Sequence, residues 1–140
     1  MKIFIDTNVL IDMMLDYRQN HAESQAVSEI ARKGGVAAAM STQSIIDASY
    51  VILRREKLPI VVFKRLLTDL LKTATPVCIN ANDIGEAIAS QMSDFEDAAQ
   101  IACAVNSGCN VFISSDRKLK DNGQIQVLTP AEFLSKVFGE

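Results

Sequence analysis

Short apolar runs that alternate with helical stretches are the feature that most constrains the fold of this chain. The runs cover residues 3–5, 36–40, 76–79, 110–114 and 125–128. Each is too short for a buried helix and is bounded by polar residues, as is typical of strands in a parallel sheet. The alternation predicts an α/β fold, a three-layer α/β/α sandwich around a central parallel sheet of four to five strands.

The stretches between these runs have apolar residues at helical spacing. They predict helices over residues 9–16, 21–34, 41–57, 60–72, 84–92 and 98–107, and a last helix that begins after Thr129. Asn20 with Glu23, and Thr129 with Glu132, have the spacing of a capping box, which marks a helix start. His21 falls in the first turn of the second helix. Because no second histidine exists to share a metal ion, we expect it to be a solvated residue beside the cap.

The length and composition indicate a single domain over residues 1–140. With 140 residues, of which 49% are apolar and 22% charged, the chain has enough material for one ordinary core. Met1 and Lys2 are followed by only three apolar residues, which is far short of a signal peptide. The longest uncharged stretch, residues 98–115, contains too many polar side chains to span a membrane. We therefore expect a cytoplasmic protein that does not associate with membranes.

Cysteine spacing and net charge exclude two further classes of protein. Cys78, Cys103 and Cys109 lie among apolar neighbours without a Cys-x-x-Cys spacing, which predicts reduced, buried thiols rather than disulfides or a zinc site. The net charge of −3 argues against a strongly basic nucleic-acid-binding surface. It leaves room for a nucleic-acid enzyme whose acidic residues surround metal ions.

Four acidic residues are predicted to meet at one edge of the sheet. Asp6 and Asp116 directly follow strands, and Asp94 and Asp97 lie three residues apart at a helix start. The carboxyl ends of parallel strands form the edge at which α/β proteins bind ligands. Each residue also has a simpler interpretation, because Asp6 could cap the next helix and acids are favoured in any first helical turn.

Such a cluster requires a counter-charge. Two carboxylates about 4 Å apart repel by about 4 kcal/mol at an effective dielectric constant of about 20. Oxygen ligands without histidine or cysteine suit Mg²⁺ or Mn²⁺. Asp47 lies deeper in its predicted helix, and from its residue pattern alone we expect it on the solvent face.

Three segments together resemble the PIN domain, a family of small α/β nucleases that includes the toxins of VapBC toxin–antitoxin pairs. They are Ile5-Asp6-Thr7-Asn8-Val9-Leu10, Asp94-Phe95-Glu96-Asp97-Ala98 and Ile113-Ser114-Ser115-Asp116. The resemblance extends over nearly the whole chain. It implies a Mg²⁺- or Mn²⁺-dependent endoribonuclease that cleaves RNA with metal-activated water. It also implies a candidate antitoxin partner.

The resemblance assigns roles to individual residues. Asp6, Asp97 and Asp116 match the metal-binding aspartates of the family, and Thr7, Asn8 and Ser114 match polar residues that support the site. Asp47 stands where the family usually has a glutamate, which reverses our expectation of a solvated side chain and makes it a candidate catalytic and metal-binding residue. Asp94, one turn before Asp97, is a candidate ligand directly or through water.

Basic and apolar surfaces suggest how partners bind. Arg54, Arg55, Arg117 and Lys118 are candidates for holding the RNA backbone, although each could equally lie on an ordinary solvated face. The apolar stripe of the helix over residues 60–72 could serve a homodimer.

Two alternative functions fit part of the pattern. Asp6-Thr7-Asn8-Val9 after an apolar strand also resembles haloacid-dehalogenase-type phosphatases, with Asp6 as the nucleophile. Those enzymes place a second aspartate two residues later, where this chain has Asn8, which cannot act as a carboxylic acid. The other alternative is a non-catalytic PIN-like module that binds RNA or protein.

Overall fold

A five-stranded, wholly parallel sheet forms the centre of the molecule, as the sequence predicts. The computed structural model describes residues 1–139. The strands are β1 (Lys2–Ile5), β2 (Ala37–Ser41), β3 (Thr75–Val77), β4 (Val111–Ile113) and β5 (Gln126–Leu128). Their order in the sheet is β3-β2-β1-β4-β5, and every neighbouring pair is parallel. After β1 the chain adds β2 and β3 on one side of that strand, and it then crosses over to add β4 and β5 on the other side. The strand order therefore reverses between β1 and β4, which makes this position a topological switch point.

Helices cover both faces of the sheet and complete the three-layer sandwich. They are α1 (Thr7–Met14), α2 (His21–Arg32), α3 (Thr42–Tyr50), α4 (Ile60–Leu70), α5 (Ala81–Ala89), α6 (Phe95–Asn106) and α7 (Pro130–Val137). Helices α1 to α4 and α7 contribute to the core on one face, and α6 to the core on the other, where α5 packs against it. The cores are separate because successive strand residues point to opposite faces. Ile3 and Ile5 belong to the first, whereas Phe4 stacks on Phe112 in the second with ring centroids 5.3 Å apart.

The structure corrects several local predictions. The helix expected over residues 41–57 ends as an α-helix at Tyr50 and continues as a π-helix, Val51–Arg55. The amide of Glu56 donates to the carbonyl of Val51, five residues back, at 2.9 Å. A 3₁₀-helix, Arg117–Asp121, follows β4 and was not predicted. Asn20 begins α2 without a side-chain capping bond, whereas Thr129 and Glu132 form the expected capping box.

Two residues lie in other environments than expected. Cys78 is exposed, because β3 is a short edge strand, while Cys103 and Cys109 are buried and all three thiols are free. His21 is half-buried, and its Nδ1 lies 2.7 Å from the carbonyl oxygen of Asp12. Since a carbonyl only accepts, Nδ1 carries the proton and ties the start of α2 to α1. Among residues 1–139, no helix has the length and apolar character needed to cross a membrane.

Candidate active site

Asp6 and Ser114 directly follow the neighbouring strands β1 and β4, and their side chains are hydrogen-bonded to each other. Asp6 is the N-cap of α1, and its Oδ1 accepts a 2.8 Å hydrogen bond from the amide of Thr7. Its Oδ2 accepts a 2.7 Å bond from the Ser114 hydroxyl, whose oxygen in turn accepts from the Asp116 amide at 3.0 Å. Both interpretations of Asp6 therefore apply, because one oxygen caps the helix and the carboxylate still faces the sheet edge.

The other predicted acids lie on the wall of the same cavity. It has a volume of about 470 Å³ and is lined by Asp6, Thr7, Asn8, Asp47, Tyr50, Val51, Arg55, Asp94, Glu96, Asp97 and Asp116. Asp94 is the N-cap of α6 and accepts a 3.0 Å bond from the Asp97 amide. No residue of the described chain donates a hydrogen bond to the Asp97 carboxylate, which leaves both of its oxygens for a ligand.

Asp47 is half-buried and lines this cavity, on the same wall as the other acids. Its carboxylate accepts a 2.9 Å bond from Gln43 one turn earlier, and it lies near enough to Glu96 that its charge, after burial, raises the pKa of Glu96. Sequence reasoning missed Glu96, because a glutamate in the first turn of a helix needs no further explanation. The neighbouring carboxyl groups indicate that α3 and α6 supply this side of the site together.

Burial and mutual repulsion perturb the acids. Burial raises the pKa of Asp97 to about 6, with further contributions from the charges of Asp94, Asp6, Asp116 and Glu96. Burial also raises the pKa of Asp6, against the opposing hydrogen bonds from Ser114 and Thr7.

Glu96 has a raised pKa for similar reasons. Burial is the largest cause, followed by the charges of Asp47 and Asp94 and the hydrogen bond to Asp47. The raised pKa values of Asp6, Glu96 and Asp97 indicate that the cavity disfavours the charged forms of these three acids.

The donors suit a hard divalent cation. In the side-chain arrangement of residues 1–139, no three His, Cys, Asp or Glu side chains are close enough together to bind one metal ion. Because carboxylates repel one another, they are expected to stay apart when no cation lies between them. All side chains that could coordinate a cation here do so through oxygen, which is the ligand type that Mg²⁺ and Mn²⁺ prefer. The residues present therefore fit such an ion once the carboxylates move together.

A buried hydrogen-bond network, centred on Ser44, connects the helices that carry the acids. The Ser44 hydroxyl lies 2.8 Å from Oγ1 of Thr7, 3.1 Å from the Ser41 hydroxyl and 3.0 Å from Nε2 of Gln100. These residues belong to α1, β2, α3 and α6, the elements that carry or adjoin Asp6, Asp47 and Asp97. Thr7 is joined to this network through Ser44. The sequence did not point to Ser44 or Gln100, because an isolated polar residue in a helix gives no signal. Asn8 is exposed on the cavity wall.

The four basic candidates are distributed around the acids. Arg55 lines the acidic cavity itself. Lys118 lines a second cavity of about 490 Å³ that shares Asp94, Asp97 and Asp116 with the first. Arg117 faces a separate cavity between the starts of α2 and α7, and Arg54 lies outside the acidic cavity beside Tyr50.

Comparisons with known proteins agree with this architecture. A family model described as a PIN domain matches residues 2–118. Ribonuclease VapC1 of Aquifex aeolicus is 26% identical over an alignment of 143 positions, gaps included, that covers 96% of this chain and 94% of that protein.

Two solved structures have the same fold at low sequence identity. VapC20 of Mycobacterium tuberculosis, a toxin that cleaves the sarcin-ricin loop, superposes with a TM-score of 0.67 at 14% identity, over 89% of this chain and 98% of that one. VapBC2 of Rickettsia felis, bound to a DNA fragment from its promoter, superposes with a TM-score of 0.70 at 11% identity, over 92% and 98%.

Proposed function

The chain belongs to the PIN-domain family, and from that premise we propose that it is a Mg²⁺- or Mn²⁺-dependent endoribonuclease. The observation that carries the proposal is the convergence of Asp6, Asp97 and Asp116 on one cavity at the switch point of the sheet. Three separate parts of the chain supply these acids. The names of the Aquifex aeolicus and Mycobacterium tuberculosis relatives, a ribonuclease and an RNA-cleaving toxin, support RNA as the substrate.

In this mechanism Asp6, Asp97 and Asp116 hold the cation, with Asp94 and Asp47 as further ligands, directly or through water. When bound, the cation acidifies water and offsets the charge that builds up on the phosphate. Ser114 fixes the orientation of the Asp6 carboxylate through the 2.7 Å hydrogen bond. Thr7 holds the start of α1 through Ser44, and Asn8 offers an uncharged amide to the substrate. Such partners orient ligands and strengthen metal binding.

Basic residues around the site hold the RNA backbone. Arg55 and Lys118 are the strongest candidates because they line the two cavities that share Asp94, Asp97 and Asp116. Arg54 and Arg117, which lie further from these acids, contact phosphates on either side. Their exposure makes this binding dependent on salt concentration.

We further propose that the protein is the toxin of a toxin–antitoxin pair, acts in the cytoplasm and is inhibited by an antitoxin protein. The VapBC name of the Rickettsia felis neighbour supports this role. Residues 1–140 form one PIN domain in this proposal. A homodimer is supported by the exposed side chains of Ile60 and Val61 in α4 and of Leu71 directly after it, while Phe63 and Leu70 face the core.

Cleavage assays decide between this function and its two alternatives. We expect wild-type protein to cut single-stranded or loop RNA in MnCl₂ or MgCl₂, and EDTA to stop the reaction. Hydrolysis of p-nitrophenyl phosphate through a phosphorylated Asp6 would instead favour the phosphatase. Metal-insensitive RNA binding without cleavage would favour the non-catalytic module. Family membership and the amide at Asn8 both favour the nuclease over the phosphatase.

A further inference from the structure

Tyr50 is an aromatic side chain left exposed on the wall of the acidic cavity. It retains 53% of its surface exposed, although it lines the cavity together with Asp6, Asp47 and Arg55. The ring is not part of either core, and no other aromatic residue among residues 1–139 lines that cavity. An exposed ring beside a phosphate-binding site is the surface on which nucleic-acid-binding proteins stack bases.

The π-helix determines which charges surround the ring. In a regular α-helix, residues five apart point about 140° away from each other. The wider turn over Val51–Arg55, closed by the 2.9 Å bond from Glu56 to Val51, brings the fifth residue back toward the first. The guanidinium carbons of Arg54 and Arg55 consequently both lie 5.8 Å from the centroid of the Tyr50 ring. A continuous α-helix would present only one of these arginines to Tyr50.

These contacts leave the ring available to a ligand. Cation–π contacts extend to about 6 Å, so both arginines stand at the outer limit of the interaction. Both arginines and Tyr50 are exposed, and a base can therefore displace a guanidinium from the ring without breaking a buried contact. Arg55 is the one basic residue on the described wall of a cavity that also contains six carboxyl groups, those of Asp6, Asp47, Asp94, Glu96, Asp97 and Asp116.

We infer that Tyr50 stacks on a nucleobase next to the RNA bond that is cleaved, with Arg55 facing the phosphate of that nucleotide. This inference rests on the proposed ribonuclease function. It assigns to the π-helix the placement of two cationic side chains beside Tyr50, the last residue of α3. Every base has a π-face and can stack on the ring. Tyr50 therefore helps to position the RNA in the site but does not select a base sequence.

A protein partner is the competing explanation for the exposed ring. Ile46, one turn earlier on α3, is also exposed and would extend an apolar contact surface with Tyr50. The position of Tyr50 favours RNA, because the ring lines the same cavity as Asp6, Asp97 and Asp116, the proposed cation ligands at which the RNA bond is cleaved.

An abasic scan of the substrate tests the inference. The cleaved bond is first located with wild-type protein, a random-sequence RNA pool and MnCl₂. Oligonucleotides containing that bond are then made with an abasic ribose at each flanking position. For wild-type protein, we expect one abasic position to raise KM while kcat changes little, as expected for a contact made equally before and during reaction.

Four variants complete the experiment. Tyr50→Ala should raise KM for intact RNA about 5- to 150-fold, the range of one base-stacking contact. In this variant, the abasic substitution that raises KM for the wild type should leave KM unchanged. Tyr50→Phe keeps the ring and should behave as the wild type. Phe138→Ala is the matched control, because Phe138 is also an exposed aromatic residue and lies outside the acidic cavity. Arg55→Gln should raise KM and keep the abasic sensitivity.

The outcomes separate this inference from the proposed function. If Tyr50→Ala keeps the abasic profile of the wild type, or changes only the oligomeric state measured by light scattering, Tyr50 does not stack on a base. RNA cleavage would persist in that case and the proposed function would stand. If the wild type cuts no RNA in MnCl₂, the ribonuclease function fails and the stacking role fails with it.

Discussion

The Ser114 hydroxyl donates a 2.7 Å hydrogen bond to Oδ2 of Asp6, across the junction between β4 and β1. The same hydroxyl oxygen accepts from the Asp116 amide at 3.0 Å. Ser114 is 1% exposed, so water cannot readily replace it. One buried side chain therefore sets the relative positions of two of the proposed metal-binding aspartates.

Replacing Ser114 by alanine should weaken metal binding without unfolding the protein. Without its donor, the Asp6 pKa rises further above its ordinary value, since the Ser114 bond now opposes the effect of burial. Loss of such a supporting partner commonly costs about 10- to 100-fold in metal affinity or activity. Mn²⁺ titration calorimetry and RNA cleavage rates measure both. Ser115→Ala, at the exposed neighbouring position, is the control and should remain close to wild type.

Replacing the central ligand should abolish cleavage. Asp6→Asn preserves the shape of the side chain and its oxygen toward the Thr7 amide, but removes the charge that a divalent cation requires. We expect a loss of at least about 1,000-fold in kcat, in line with removal of a central catalytic group. Circular dichroism should report an unchanged fold. Wild-type activity in this variant would rule out Asp6 as a metal ligand.

The stability of the metal-free protein should fall as pH rises through the titration of Asp97. Its pKa in the folded protein is about 6, against 3.8 for the unperturbed group. Between these values the folded state binds more protons than the unfolded state, so this group lowers the free energy of unfolding as pH increases. The effect is complete above about pH 6 and absent below the unfolded pKa.

Thermal melts of metal-free wild type and Asp97→Asn measure this contribution. The variant should be more stable than wild type at neutral pH and should gain less when the pH is lowered to about 5. Added Mn²⁺ should stabilise the wild type more than the variant, by mass action on a site that only the folded state contains. Parallel pH dependence of the two proteins would contradict the assignment of the perturbed pKa to Asp97.

The sequence predicts the architecture well because its signals are local. Short apolar runs, capping boxes and the strand-end aspartates depend on a few neighbouring residues, and the sheet edge then brings Asp6 and Asp116 together without further information. The resemblance adds Asp47, which its own helix pattern assigned to solvent. Glu96, Ser44 and Tyr50 were not predicted as site residues. The places of Glu96 and Ser44 depend on how α3 and α6 pack, and the surroundings of Tyr50 depend on a π-helix for which residues 51–55 give no sequence signal.

Asp47 and Glu96 should act together in place of the family's usual glutamate. Burial and then the charge of Asp47 raise the pKa of Glu96, and both residues line the cavity, into which the shorter Asp47 reaches less far than a glutamate would. If either can support the cation, Asp47→Asn and Glu96→Gln should each reduce cleavage less than Asp6→Asn does. The double variant should lose more than the product of the two single losses, as expected for residues that substitute for each other. Multiplicative losses would instead show that the two residues act independently.

Replacing Ser44 should destabilise the protein, because the hydroxyl lies between three polar groups in the interior. Ser44 is fully buried, and its removal leaves Thr7, Ser41 and Gln100 without a shared partner. An unsatisfied buried polar group costs about 1–3 kcal/mol, so Ser44→Ala should lower the free energy of unfolding by about that amount. Urea denaturation measures the change.

Ser49→Ala is the matched control for Ser44→Ala, since Ser49 lies on the same helix and bonds only to the carbonyl of Ile46 within that helix. Its replacement should change the free energy of unfolding by less than about 0.5 kcal/mol. The network also links α1, α3 and α6, so Ser44→Ala should weaken Mn²⁺ binding even at temperatures where the protein remains folded. A variant that loses stability yet binds Mn²⁺ as tightly as wild type would show that the network supports the core and not the site.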